Sequence, residues 1–351
     1  MEKDTVSMYF VNAAVAQLPG PAKARALQAA GIQAELLSLA AARVSAESFS
    51  SLWLAVAREL DDEFFGLDSR RMKVGSFALL CQAVLGSENL GHAIRRCLRG
   101  FALFLDDVTA ELVVEGGTAV IRLHNTITTP ARRLFADETF LVMLHGLMCW
   151  LTGKRIALDQ VAFAHARPLH AGEYAVMYSQ HLQFDVACTA IRFDARLLEA
   201  VVVQNAATVK PFLRNAPQSV FLKYKNEDSW TARLRRRLRS AGGADWPLLD
   251  DMARAFHVAP TTLRRRLESE GTSYQGIKDQ LRRDAAIHHL CHSTLGVAEI
   301  SGLLGFQEPS AFHRAFKKWT GAQPGEYRSR QAGAAAAPAP VANAGHATPT
   351  A

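Results

Sequence analysis

Two segments near the C-terminal end of this 351-residue chain share one pattern: a short helix with an apolar face, a tight turn, and a second helix whose outer face is basic. The first runs from Pro247 to Leu267, PLLDDMARAFHVAPTTLRRRL, and the second from Val297 to Thr320, VAEISGLLGFQEPSAFHRAFKKWT. A helix-turn-helix of this kind constrains the fold strongly. Its first helix braces the second at a fixed angle, and the second is shaped to lie in a major groove with side chains on base edges. Two in tandem imply two adjacent grooves read by one polypeptide.

In the first copy, Leu249, Met252, Ala253 and Phe256 recur at three- and four-residue spacing and make one apolar face. His257, Val258 and Ala259 form the turn. Pro260 opens the next helix, where its fixed φ fits and its missing N–H costs nothing. Leu263 and Leu267 point inward, which leaves Thr261, Thr262, Arg264, Arg265 and Arg266 largely outside. Exposed arginines at the front of a helix serve no packing purpose, but they match the bidentate geometry of guanine and phosphate. A solvated basic hairpin would explain one copy alone, and the second copy weighs against it. Gly271 marks the helix end.

In the second copy, Val297, Ile300, Leu303 and Leu304 form the inner face, Gly305 supplies the turn and Phe306 plugs the core behind it. Phe312, Phe316 and Trp319 line the inside of the recognition helix. Ser310, His313, Arg314, Lys317 and Lys318 project from its other faces, and Gly321, Pro324 and Tyr327 mark the stop and a final cap. Between the copies Tyr274, Ile277, Leu281, Ala285 and His288 keep a helical period. They describe a linker helix of about four turns, roughly 25 Å long. Such a strut suits two recognition helices one DNA turn apart, ~34 Å.

The segment GLLGFQEPSAFHRAFKKWTGAQPGEYR resembles the C-terminal signature of the AraC/XylS family of transcription regulators, and LRRRLESEGTSYQ with the helix after it resembles the first half of the same unit. The likeness covers about Trp230 to Arg328 and implies a seven-helix DNA-binding unit competent as a monomer. It sets Thr261, Arg264 and Arg265, with Thr262 beside them, at base-contacting positions of the first recognition helix. Ser310, His313, Arg314 and Lys317 are the corresponding outward set of the second. Two departures stand out. Ala259 and Gln307 occupy the positions where the family carries a serine N-cap, a loss of ~1 kcal/mol each. His257 replaces a glycine of many relatives, and a non-glycine residue there takes the left-handed region at modest cost.

Charge follows the same division. From Lys223 to Arg330 there are 19 Lys and Arg against 12 Asp and Glu, while the rest of the chain holds 21 against 21, so the net +7 lies wholly with the helix-turn-helix pair. That is the footprint of a phosphate-binding module joined to a neutral partner domain. The run Arg233, Arg235, Arg236, Arg237, Arg239 divides between phosphate contact and a solvated face. The start Met-Glu-Lys-Asp is no secretory signal. The best apolar run, Phe140 to Trp150, falls short of the ~18 residues of a membrane span. Cys81, Cys97, Cys149, Cys188 and Cys291 make no CxxC, which reads as a reducing cytoplasm.

Residues 1–215 form an α+β domain. Val6–Leu18, Ala22–Ala30, Leu52–Glu59, Leu90–Phe104 and Leu134–Leu151 read as helices. Residues 111–117 and 119–124 alternate as a hairpin turning at Gly116-Gly117. Gln160–Phe163 and Thr189–Phe193 add short strands to a small antiparallel sheet. The stretch from Gly75-Ser76-Phe77 through Leu90-Gly91-His92-Ala93 to Phe184, with Arg167-Pro168-Leu169-His170 and Glu173-Tyr174 within it, resembles the arabinose-binding type of sensor found in one AraC subgroup.

Several constellations are set aside. His288 and His292 with Cys291 lack further ligands and carboxylates for a metal site, so no metal or other cofactor is expected. Asp61, Asp62 and Glu63 read as a solvated loop rather than a catalytic pair, Cys149 as a core residue rather than a nucleophile, and no phosphate-binding or dinucleotide motif appears. The chain is therefore not read as an enzyme. Glu173 and Tyr174 are the candidate effector-lining residues, against a local ion pair and core packing as their structural alternative.

The expected arrangement is an α+β sensor and dimerisation domain over 1–215, a link over 216–229, an all-α unit of two helix-turn-helix motifs joined by a linker helix over 230–330, and a disordered Ala/Pro-rich tail over 331–351. The expected function is a cytoplasmic, sequence-specific regulator, an activator by family likeness. Its partners would be promoter DNA, RNA polymerase, a small-molecule effector and a second copy of itself, with no membrane. The alternative is a DNA-binding regulator or architectural protein without small-molecule input, its N-terminal domain serving dimerisation or a protein partner.

Overall fold

The computed structural model describes residues 5–39, 42–214, 216–221, 230–240, 246–269 and 272–335. The chain opens with strand β1 (Thr5–Ser7), helices α1 (Met8–Ala14) and α2 (Gly20–Ala29), strand β2 (Arg43–Ser45), and helices α3 (Ala46–Leu60), α4 (Ser76–Val84) and α5 (Leu90–Phe104). Hairpin strands β3 (Val108–Glu115) and β4 (Thr118–Asn125) lead into the long helix α6 (Pro130–Thr152). Strand β5 (Gln160–Ala162), helix α7 (Ala171–Met177), strands β6 (Leu182–Gln183) and β7 (Ala190–Asp194), and helices α8 (Ala206–Arg214) and α9 (Gln218–Phe221) complete the N-terminal part.

Two expectations about this part change. The residues from Val6 do not all belong to one helix: Thr5–Ser7 pair antiparallel with Arg43–Ser45 in a separate two-stranded sheet. Helix α1 begins only at Met8, with the Ser7 hydroxyl accepting from Tyr9 N–H. The larger sheet has the order β3-β4-β7-β5-β6 and is not wholly antiparallel, because β5 and β6 run parallel. A parallel pair needs a crossover, and α7 supplies it. The hairpin turn is as read, with φ of 54° at Gly116 and 87° at Gly117.

Helix α6 is the axis of the N-terminal core. Every residue from Phe135 to Thr152 except Val142 is buried, so the helix is enclosed on all sides. Over 130–152 it is the one described helix long and apolar enough to cross a bilayer, longer than the run read from sequence, and 89% of its apolar window is buried inside the protein. Several of its buried polar residues find partners inside the protein. Asp137 accepts from Asn125 and Thr189, and the His145 Nε2 lies 2.9 Å from the Ile156 carbonyl. Burial pushes the His145 pKa down to about 4 and the Cys149 thiol up to about 11, so that cysteine is an inert core group.

The acidic triplet is also not the solvated loop that its composition suggests. Asp62 is 1% exposed, and its carboxylate accepts from the N–H groups of Phe64, Gly66 and Met72. Glu63 accepts from Gly75 and Phe77 N–H. These two acids take up backbone donors that a tight, irregular turn leaves unpaired.

The C-terminal part contains seven described helices: α10 (Trp230–Ser240), α11 (Leu249–Ala255), α12 (Pro260–Ser269), α13 (Tyr274–His292), α14 (Val297–Leu303), α15 (Pro309–Thr320) and α16 (Pro324–Ala335). The linker helix α13 spans 19 residues, longer than the stretch read from sequence. Its buried apolar residues are Ile277 and Leu281, then Ala286, Ile287 and Leu290. The inward face shifts along its length because one end serves one core and the other end a second. Ile277 and Leu281 join Leu234, Leu238, Met252, Ala253, Leu263 and Leu267 in a small separate core. Ala286, Ile287 and Leu290 join Ile300, Leu304, Phe312, Phe316 and Tyr327 in a cluster continuous with the N-terminal core.

Smaller readings shift as well. Leu303 is 52% exposed rather than inward. The residue before α15 is Glu308, not Gln307, and it makes no side-chain cap, with Pro309 opening the helix. Tyr327 is not a terminal cap but a fully buried residue of α16. That helix extends to Ala335, into the stretch read as a disordered tail. The remainder of that tail, Gly271 and most of the link fall outside the described residues.

Candidate nucleic-acid interface

Each helix-turn-helix begins with an acid three residues into its first helix. The Leu248 N–H donates to Asp251 and the Gly296 N–H to Glu299, which satisfies a donor that the helix start leaves unpaired and sets negative charge at the positive end of the dipole. The turns differ in chemistry but not in shape. His257 takes φ 54° where Gly305 takes φ 75°. The left-handed step in both copies swings α12 and α15 onto the same kind of brace.

On α12, Leu263 and Leu267 are buried, while Thr261, Arg264 and Arg265 are exposed and Thr262 half-buried. Neither Arg264 nor Arg265 makes an ion pair or hydrogen bond with any described residue. Arg266 differs: its guanidinium lies over the Trp230 ring at 4.3 Å, so it fastens α12 to α10. Part of the arginine run on α10 is likewise structural. Arg233 stacks on Trp230 and Phe256 at 4.4 and 5.0 Å, and Arg235 donates to Gln280 of α13. A cation over an aromatic face is attracted by the ring quadrupole, and the arginine stems cover apolar surface. Neither role shows in a count of charges.

On α15, Phe312 and Phe316 are buried and Ser310, Arg314, Lys317 and Lys318 are exposed. Arg314 and Lys317 have no partner among the described residues. His313 is half-buried, its Nδ1 3.2 Å from Gln323 Oε1, so it is committed locally and reaches outward less than its neighbours. Between the copies Arg282 of α13 ties both halves together. Its guanidinium sits 5.1 Å from the Trp246 ring and 5.2 Å from the Phe306 ring, and its Nε donates to the Leu304 carbonyl at 3.0 Å. No periodicity marks that residue, because its partners are remote in the chain.

The second copy is joined to the N-terminal domain by polar contacts that sequence reading missed. The Thr5 hydroxyl donates to Asp284 at 2.7 Å, and Arg43 holds Thr5 through its hydroxyl and carbonyl. The Tyr327 hydroxyl donates to the Arg43 carbonyl. Arg43 also forms a two-pronged ion pair with Glu173 at 2.5 and 3.1 Å. Burial opposes charge on Glu173, but the Arg43 guanidinium outweighs it and holds the carboxyl below the ordinary range. Tyr174 is fully buried, and its hydroxyl donates to Glu138 at 2.6 Å, an acid that also accepts from Tyr9 and faces His170. The structure thus places Glu173 at the junction and Tyr174 in a buried polar cluster. Among the described residues no group of three or more His, Cys, Asp or Glu side chains is arranged to hold a metal ion.

Comparison with known proteins follows the same two parts. Residues 20–202 match the family described as the arabinose-binding domain of AraC transcription regulators, N-terminal, and residues 252–330 match a helix-turn-helix domain family. The chain is 31% identical over 311 residues to the ornithine utilization regulator of Pseudomonas aeruginosa, covering 88% of this chain and 91% of that one. It is 38% identical over 268 residues to the HTH-type transcriptional regulator VqsM of the same organism, covering 73% and 80%. Among solved structures, the transcriptional regulator CdpR from Pseudomonas aeruginosa aligns over 92% of this chain and 96% of its own, with 20% identity and a TM-score of 0.31.

Proposed function

This chain belongs to the AraC family of DNA-binding transcription regulators, in the group with an arabinose-binding-type N-terminal domain, and we propose that it is an effector-controlled activator whose two recognition helices read adjacent grooves of a promoter. Members of this family are regulators and not enzymes. The proposed base and phosphate contacts are Thr261, Thr262, Arg264 and Arg265 on α12 and Ser310, Arg314 and Lys317 on α15, with His313 in a lesser role. The observation that carries this reading is the contrast within one helix: Arg264 and Arg265 are exposed and have no partner among the described residues, while Arg266 beside them is stacked on Trp230. On the outward face of a helix that a helix-turn-helix presents to a major groove, such guanidinium groups are available to phosphate oxygens and guanine edges.

The division into a sensor over 1–215, a link over 216–229 and a DNA-binding unit over 230–330 belongs to the same proposal. The sensor carries no net charge, so its role is control rather than DNA contact. An effector that binds one arrangement of sensor and DNA-binding unit better than another would shift the population of DNA-competent molecules. The polar bridge from Glu173 through Arg43 and Thr5 to Asp284 is a physical route for that coupling. A homodimer on paired sites, recruitment of RNA polymerase and a cytoplasmic location complete the proposal, and activation rests on family likeness.

Gel-shift titration of a promoter fragment, at fixed salt, tests the DNA contacts. Arg264→Ala and Arg265→Ala should each cost ~1–3 kcal/mol in specific binding, and Arg314→Ala should remove protection from one side of each footprinted site. Full affinity in both α12 variants would refute the assignment.

A further inference from the structure

Helix α9, which lies within the first part of the link, rests on α6 at a contact without space for a side chain. A Cβ added to Gly146 would meet the Val220 carbonyl oxygen at 2.5 Å and the Val220 Cγ1 at 2.6 Å. The chain reaches that contact by retracing α6. Gln204 donates to the Trp150 carbonyl at 2.6 Å, and the Phe212 ring of α8 stacks on Trp150 at 4.3 Å. Where α8 and α9 pass over α3, α4 and α6, they leave a cleft of about 210 Å³.

Trp53, Phe77 and Met143 form one side of this cleft, and Leu213, Pro217 and Val220 of the exit segment form the other. Leu54 and Val74, 40% and 51% exposed, stand at its edge. The volume is below the ~300–1,000 Å³ of sites for drug-sized ligands, so the occupant is small, and the lining requires an apolar body. Two charged side chains line the cleft, Arg58 and Glu63. Both Glu63 oxygens are taken, by the N–H groups of Gly75 at 2.9 Å and Phe77 at 2.7 Å. Arg58 is exposed and has no partner among the described residues. The free charge at this site is therefore positive.

We propose that this cleft is the effector site of the sensor, and that it takes a small apolar or aromatic monocarboxylate with its carboxylate on Arg58. The inference rests on the effector-controlled reading above and gives it a ligand class and a location. A ligand held here touches both the sensor core and the segment that leads to the DNA-binding unit. Its binding energy is then spent on how tightly that segment is seated, which is the differential contact that any effector needs.

The test uses the full-length protein with hexanoate and phenylacetate as probes and hexanamide and phenylacetamide as neutral controls. At tenfold above Kd, either carboxylate should raise Tm by roughly 3–6 °C, with the amides binding about tenfold more weakly. Arg58→Gln, a surface change, should erase the advantage of the carboxylates over the amides. Ala78→Phe fills the cleft and should abolish binding of all four. If Ala78→Phe fails to fold, Arg58→Gln decides. The proposal is overturned if no carboxylate shifts Tm at 10 mM, or if the carboxylate preference survives in Arg58→Gln. Promoter binding is measured on the same samples. Intact DNA binding without probe binding would sink the cleft assignment alone. A folded protein that ignores the promoter at low salt would sink the regulatory reading instead.

Discussion

Arg43→Met should loosen the second helix-turn-helix from the sensor without touching the first. Arg43 donates to Thr5 Oγ1 at 2.8 Å, to the Thr5 carbonyl at 2.9 Å and to both oxygens of Glu173, with side-chain exposures of 11% for Arg43 and 28% for Glu173. Breaking a fully buried pair costs ~3–5 kcal/mol because one charge is left uncompensated, whereas an exposed pair is worth ~0–1 kcal/mol. The partial exposure of Glu173 places this one at about 2–3 kcal/mol. A double-mutant cycle of Arg43→Met, Glu173→Gln and the pair, followed by urea unfolding, should return a coupling of about 2 kcal/mol. The pH dependence has a definite sign. Glu173 is depressed in the folded protein, so its contribution is complete above the ordinary carboxylate pKa and disappears as pH falls through the folded value. Wild-type stability should therefore drop on acidification in that window, and Glu173→Gln should lack that part of the drop. In hydrogen exchange, Arg43→Met should speed the amides of α16 and the C-terminal half of α13 and leave α12 unchanged, because α12 belongs to a separate buried cluster. A coupling below ~0.5 kcal/mol would refute the energetic reasoning, by the usual limits of additivity. Equal acceleration in α12 would refute the two-core division.

Leu263→Ala removes a fully buried side chain from the small core of α10 to α13. It should cost about 3 kcal/mol and give calorimetry a low-temperature transition while the sensor transition stays in place. Gly146→Ala must lift α9 by the Val220 contact, so Tm should fall by the equivalent of ~1–3 kcal/mol, and an unchanged Tm would show that α9 is not seated there. Arg266→Ala should lower Tm through loss of its Trp230 contact, whereas Arg265→Ala should lower promoter affinity and leave Tm within ~0.5 kcal/mol of wild type. Arg282→Ala frees the two copies from one another, and footprints should keep both halves of a site but tolerate altered spacing between them.

The legible features were those written in short-range spacing. Leu263 and Leu267, or Phe312 and Phe316, lie four apart on one helix and are buried together, because a helix fixes which side chains share a face. Local patterns also placed the hairpin turn at Gly116-Gly117, though not the ends of its strands, and made helix α5 readable to the residue. Charge partition was legible too, since it needs only counting. Local patterns failed where one element serves two neighbours. Helix α13 changes its inward face along its length, and α6 buries acids that look like surface residues until Asn125, Thr189 and Tyr174 meet them.

By itself, then, the sequence determined the two helix-turn-helix units, their outward basic residues and the family, since each depends on residues within a few turns of one another. Only the tertiary structure decided which arginines are free. Arg265 and Arg266 are adjacent and chemically identical, yet one is exposed and the other lies on Trp230, brought there from 36 positions away in the chain. It also decided that Asp62 and Glu63 tie a loop, that Glu173 pairs with Arg43, and that α9 closes a cleft over α6. A side chain's role follows from its partner, and chain folding brings distant partners together by burying surfaces whose pairing no local period records.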